Sequence, residues 1–163
     1  MQTINNLLSK QLLDLKYLDG KQLALLPKFI EVTKNESLKK HLKDIQRLTQ
    51  KHRQNMMSNF NKYNYKPLKT NTLYISCVCR EVQCYLEYTA VHRTESGLIS
   101  CLQQLLLLKI SILTSANRFA KELNLNGLQI KLQNLLNEVY ENYEVLDRMA
   151  EERLTRKAIK EMS

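Results

Sequence analysis

The sequence predicts an all-α fold: an up-down bundle of four long helices, with a short extra helix between the second and third long ones. Glycine and proline are scarce, with 3 and 2 residues among 163, which favours long helices and argues against Gly-rich nucleotide-binding folds. Apolar residues recur every three or four positions through most of the chain, which is the spacing of one helical face. The length fits a single domain spanning residues 1–163.

The first two helices follow from this spacing. The first covers residues 4–34, and Pro27 is expected to bend it rather than end it, because the apolar pattern resumes at once. Residues 33–37 form a short connection that contains capping side chains. The second helix covers residues 37–63, and a loop marked by Pro67 covers residues 64–71.

The remaining helices follow in the same way. A short helix covers residues 72–89, and a break at residues 91–96 separates it from the third long helix at residues 97–123. That helix is the most apolar and is expected to lie at the centre of the bundle. Residues 124–127, Asn-Leu-Asn-Gly, form a helix stop in which Asn or Gly adopts the left-handed conformation. The last helix covers residues 128–160.

The net charge of the chain indicates which partners it could bind, and its hydropathy indicates whether it crosses a membrane. A formal net charge of +9 favours acidic partners such as nucleic acid or anionic membranes, and it also keeps a protein soluble. The most apolar stretch, residues 98–113, is interrupted by polar residues and is predicted to be a buried helix, because a membrane span needs about 18 uninterrupted apolar residues. The N-terminus has no basic segment followed by a cleavage site, so we expect a cytoplasmic location without membrane contact.

The cysteines are expected to be thiols in a reducing compartment. They are Cys77, Cys79, Cys84 and Cys101. Their spacing matches no zinc site, so we expect small apolar packing residues, with a redox or metal role as the alternative. On a helix Cys77 and Cys84 share a face, and Cys79 points elsewhere.

Histidine placement argues against a diiron centre. Such a site in a helical bundle uses two Glu-x-x-His pairs, because residues three apart share a helix face and bind one metal together. The histidines are His41, His52 and His92, and the residues three positions before them are Leu38, Thr49 and Thr89. The chain therefore contains no such pair.

The sequence resembles the YciF-type ferritin-like family. Residues 17–28, Tyr-Leu-Asp-Gly-Lys-Gln-Leu-Ala-Leu-Leu-Pro-Lys, are similar to that family's first helix, which has Tyr-Asp-Ala-Glu-Lys-Gln-Leu followed by Leu-Pro-Lys. Residues 35–38 and 41–44 follow at the family's spacing, where it has a His-Leu-Glu-Glu segment. The resemblance covers most of the chain and implies a ferritin-like bundle, a stress-linked role and a homodimer.

The departures from the family concern its metal ligands. In place of the ligands stand Gly20 in the first helix, Lys43 and Gln46 in the second, and Leu106, Leu107 and Leu108 in the central helix. A lysine at a ligand position puts positive charge where a dication would lie. The resemblance therefore implies a degenerate member without the diiron ligands, and we expect no cofactor.

Two groups of side chains remain as candidate metal ligands. The acids of the last helix are Glu138, Glu141 and Glu144. They step by three, so neighbouring members share a side of the helix, although three acids near the middle of a helix more often form a solvated face. His41 and Asp44 form a His-x-x-Asp pair, for which helix pairing or solvent exposure is the expected explanation.

Two further groups are candidate contact surfaces. The second helix has a basic stripe of Lys39, Lys40, Lys43, Arg47 and Lys51. It fits a non-specific contact with nucleic acid or another acidic partner, but aromatic residues for base stacking are absent until Phe60, and a solvated face is the expected explanation. The candidate interface tyrosines are Tyr85, Tyr88, Tyr140 and Tyr143, for which core packing is the alternative.

The functional expectation is a protein without enzymatic activity, because the chain has no nucleophile elbow and no phosphate-binding loop. We expect a non-catalytic structural or interaction protein that forms a homodimer and binds an unidentified protein partner. The alternatives are a residual iron-binding bundle that uses the acids of the last helix, and a non-specific nucleic-acid binder that uses the basic stripe.

Overall fold

The computed structural model describes residues 3–62, 72–88 and 93–163. Within these ranges the chain forms five α-helices and no strand: α1 Ile4–Val32, α2 Glu36–Lys62, α3 Leu73–Leu86, α4 Glu95–Glu122 and α5 Asn126–Met162. The predicted all-α class, with four long helices and a short one between the second and third of them, is confirmed.

Capping side chains set several helix boundaries. Asn35 Oδ1 accepts a hydrogen bond from the backbone N–H of Leu38 at 2.9 Å, so α2 begins at Glu36. The Thr94 hydroxyl accepts from the backbone N–H of Gly97 at 3.0 Å, so α4 begins at residue 95 and includes the end of the break predicted at residues 91–96. The predicted loop at residues 64–71 and the first two residues of that break, Val91 and His92, lie outside the described residues.

The turn between α4 and α5 has the predicted left-handed residue. Asn124 has a φ of 56°, and the backbone N–H of Leu125 donates to the Ala120 carbonyl at 2.9 Å, which is the hydrogen bond of a Schellman ending. Asn124 rather than Gly127 makes the turn, so α5 begins at residue 126, two residues earlier than predicted.

The core is centred on α4, as predicted. This helix packs against α1, α3 and α5, and Leu105, Leu113 and Ala116 have no accessible surface. α1 continues through Pro27 and also packs against α2 and α3. By length and composition α4 is apolar enough to span a membrane, but half of its most apolar window is buried in the bundle; the core helix of a soluble protein passes the same test.

Candidate functional site

Polar side chains from four helices meet inside the bundle, in a group that we call the polar centre. Its members are Asp19 and Gln22 of α1, Thr49 and His52 of α2, Lys109 of α4, and Glu138 of α5. Five of the six are at most 9% exposed, and the side chain of Glu138 is 41% exposed. Buried polar groups cost free energy unless they are paired, so the partners within this group determine what it can do.

An ion pair between Lys109 and Asp19 lies deepest. The Lys109 Nζ atom is 2.8 Å from Asp19 Oδ1, and the two side chains are 2% and 1% exposed. Neither carboxylate oxygen has a hydrogen bond of good geometry among the described residues, so the ammonium group is the charge partner of this carboxylate. Removing either member would leave an uncompensated charge in the core.

The other members pair across helices as well. The Gln22 amide donates to the Thr49 hydroxyl at 3.3 Å, and that hydroxyl donates to the Ile45 carbonyl at 2.7 Å. One turn further along α2, His52 Nε2 donates to Glu138 Oε2. The polar centre therefore links α1 to α2, α1 to α4, and α2 to α5.

The environment of His52 favours its neutral form. Burial lowers the pKa of His52, and the positive charge of Lys109 lowers it further, while Glu138 and Asp19 act in the opposite direction. A neutral imidazole that donates from Nε2 to a carboxylate has its acceptor at Nδ1. The ring is therefore held as a hydrogen-bond donor to Glu138.

This arrangement does not fit the diiron site that the ferritin-like fold implies. Among the described residues no group of three or more His, Cys, Asp or Glu side chains could hold a metal ion. Asp19 faces an ammonium group, which cannot ligate a metal and repels a dication. Glu138 is paired with His52, whereas Glu141 and Glu144 are exposed. Among the described residues, the three acids that the sequence grouped as candidate ligands therefore do not form a metal-binding group.

The positions at which the sequence departs from the family's metal ligands lie outside the polar centre. Lys43 is exposed and Gln46 is half-buried, and Gly20 lies beneath Arg53, whose Nη2 atom would be 3.7 Å from an added Cβ. The lysine that enters the polar centre is Lys109, one residue beyond the predicted leucines. It falls on the apolar stripe of α4 that includes Leu105 and Leu113, so a charged residue at a core-facing position is the signal that could have revealed it.

The basic stripe of α2 lies on the surface but is partly neutralised. Lys39 Nζ lies 3.7 Å from Glu36 Oε1, and Arg47 Nη2 lies 2.5 Å from Asp44 Oδ1. Lys40, Lys43 and Lys51 are exposed. Asp44 is thus paired with Arg47 on the same helix, which is the helix pairing expected for the His-x-x-Asp segment. The His41 ring lies 3.4 Å from the Asn142 carbonyl, and burial lowers its pKa.

The candidate interface tyrosines differ in exposure. Tyr88 and Tyr140 are 52% and 46% exposed, and Tyr143 packs at the edge of the core. The Tyr85 hydroxyl accepts from the backbone N–H of Thr94 at 3.0 Å, and its ring lies 5.5 Å from that of Tyr88. Tyr85 therefore joins α3 to the start of α4 within the chain.

The four cysteines are free thiols with different surroundings. Cys79 is buried in the core, and the partly buried Cys101 packs against this core, as predicted. Cys77 and Cys84 are exposed, so the prediction that they pack as small apolar residues was wrong, although their shared face is confirmed. Burial raises the pKa of both Cys79 and Cys101, which disfavours the reactive thiolate.

Comparisons with known proteins agree with this architecture. The sequence pattern of a family described as a domain of unknown function, DUF892, matches residues 3–159. The stress protein YciF of E. coli is 18% identical, with a TM-score of 0.85 over 95% of this chain and 99% of YciF. YcfI of Rhodopseudomonas palustris, described as a candidate structural protein, is 24% identical, with a TM-score of 0.80 over 90% and 94% of the two chains. No curated protein matches significantly.

Proposed function

The chain belongs to the family of the domain of unknown function DUF892, and from this premise we propose that it is a non-catalytic structural or interaction protein whose ferritin-like bundle has lost its metal site. The ion pair between Lys109 and Asp19 is the observation that carries the proposal. At the buried centre of the bundle, a side-chain ammonium balances the carboxylate charge that a metal ion would otherwise balance.

The descriptions of the two structural relatives support a role of this kind. One is called a stress protein and the other a candidate structural protein, and neither description names a reaction. By analogy we propose a stress-associated, cytoplasmic protein that acts through contacts with other chains. A homodimer is part of this proposal, and the exposed rings of Tyr88 and Tyr140 supply apolar area of the kind that interfaces use. Sedimentation velocity of the purified chain tests it: a monomer at every concentration would remove the homodimer.

Metal content tests the central proposal directly. The purified chain is incubated separately with ferrous iron and with zinc, desalted, and its metal content is measured by mass spectrometry. We expect near-zero metal per chain and no oxidation of ferrous iron above the buffer rate. About two metals per chain, as in a di-iron bundle, would overturn the proposal.

A Lys109→Met variant makes this test sharper. If the described residues lack a ligand set, the variant also stays free of metal, because removing the ammonium adds no ligand. Metal uptake by the variant alone would mean that repulsion by Lys109, rather than the lack of ligands, keeps metal out. The nucleic-acid alternative has its own test: binding at low salt that falls steeply with salt would support it, and no binding at low salt would remove it.

A further inference from the structure

A cleft between α2 and α5 is lined by hydrogen-bond donors. These two helices touch each other least among the helix pairs that contact at all in the described chain, and the space between them has a volume of about 360 Å³. The lining side chains include Lys51, Asn55 and Met56 from α2, and Lys131, Asn134 and Leu135 from α5. This volume lies at the lower end of the range for small-molecule sites.

The sequence explains why the cleft stays open. Lys51, Asn55 and Ser58 follow one another at steps of four and three, so one polar stripe of α2 faces the cleft. Lys131, Asn134 and Glu138 form the matching stripe on α5. Two polar stripes have little to gain from close packing, so the helices separate where an apolar seam would have joined them.

The charge of the cleft favours an anion. Lys51 of α2 and Lys131 of α5 line opposite walls, and among the described lining residues Glu138 is the single carboxylate. That carboxylate already accepts a hydrogen bond from His52. The lining therefore has an excess of positive charge, to which the Asn134 amide adds a neutral donor.

The lining is also partly apolar. Met56 and Leu135 are 7% and 5% exposed, and both reach the cleft from the core side. A ligand that matched only the two ammonium groups would leave this apolar surface uncovered, and apolar area removed from water favours binding.

We propose that this cleft binds a small amphiphilic anion, with its carboxylate or phosphate head between Lys51 and Lys131 and a short apolar tail against Met56 and Leu135. The inference goes beyond the structural role proposed above and does not depend on the loss of the metal site. It concerns a soluble small molecule, and it assigns His52, in the wall of the cleft, as the residue that reports occupancy.

Nuclear magnetic resonance of the histidine rings tests the proposal with octanoate and hexyl phosphate as probes. We expect saturable shifts of the His52 ring signals in the millimolar range or below, while the signals of His41, which is bound to the Asn142 carbonyl elsewhere, stay in place. Inorganic phosphate is expected to bind at least about tenfold more weakly, because it has no tail to cover the apolar surface.

Matched double variants distinguish the cleft from the overall positive charge. The K51Q/K131Q variant is expected to bind octanoate about tenfold or more weakly. The K40Q/K43Q variant loses the same charge from exposed sites of α2 outside the cleft and is expected to bind within about twofold of the parent. All four lysines are exposed, so circular dichroism should show unchanged folding.

Three results would overturn the proposal. One is the absence of a saturable His52 shift with either probe. Another is an equal loss of affinity in both double variants, which would show that only net charge attracts the probes. The third is equal affinity for inorganic phosphate and hexyl phosphate, which would show that the apolar side chains do not contact the ligand.

Discussion

Replacing Lys109 with methionine should be among the most damaging single changes in this chain. The substitution keeps the length of the side chain but removes the ammonium group that lies 2.8 Å from the Asp19 carboxylate. Both side chains are at most 2% exposed, so water cannot replace the lost partner. Breaking a buried ion pair in this way costs about 3–5 kcal/mol. The total unfolding free energy of a domain is only about 5–15 kcal/mol.

Urea unfolding followed by circular dichroism measures this loss of unfolding free energy. Two further variants test whether the loss comes from the buried ion pair. Lys121→Met is the same change on an exposed site of α4 and should cost less than about 1 kcal/mol. The double variant K109M/D19L replaces both charges with apolar side chains and should recover most of the loss. A cost below about 1 kcal/mol for K109M, or a double variant that recovers none of the K109M loss, would refute the buried ion pair.

Three other predictions concern separate parts of the molecule. Gly97→Ala would place a Cβ 1.8 Å from the Tyr85 hydroxyl, so it should destabilise the fold by about 1–3 kcal/mol, and the added change Tyr85→Ala should relieve this clash in the same unfolding assay. The folded-state pKa of His52 lies below its ordinary value of 6.5, so the unfolded state takes up the proton first. Stability should therefore fall as the pH drops below 6.5 toward the folded-state value, with no such contribution above 6.5, and His52→Gln should reduce the slope. Exposed Cys84 should react readily with a disulfide-exchange reagent in the native protein, whereas buried Cys79 should react only on unfolding, as mass spectrometry of labelled peptides would show.

Helix number, order and approximate length followed from the sequence because they depend on local spacing and on caps. Thr94 and Asn124 act on backbone groups a few residues away, so their effects are visible in a short window of sequence. The apolar stripe of α1 was equally visible, since it repeats every three or four residues.

The polar centre could not be predicted in the same way, because its pairs join residues far apart in the chain. Lys109 and Asp19 are on different helices, as are His52 and Glu138, and no local pattern connects them. The expectation that Lys43 occupied a ligand position relied on the family's spacing. That spacing does not show which side of α2 faces the bundle, and Lys43 lies on the exposed side.

The position of α4 at the centre of the core has a consequence for synthesis on the ribosome. α1 is made first, yet a large part of its buried face packs against α4, which ends roughly 90 residues later in the chain. At a synthesis rate of about 5–20 residues per second, α4 is completed about 5–18 s after α1. During this interval its core leucines and the Asp19 carboxylate have no α4 to pack against, so we expect nascent chains that end before α4 to bind chaperones and to be cleaved readily by proteases.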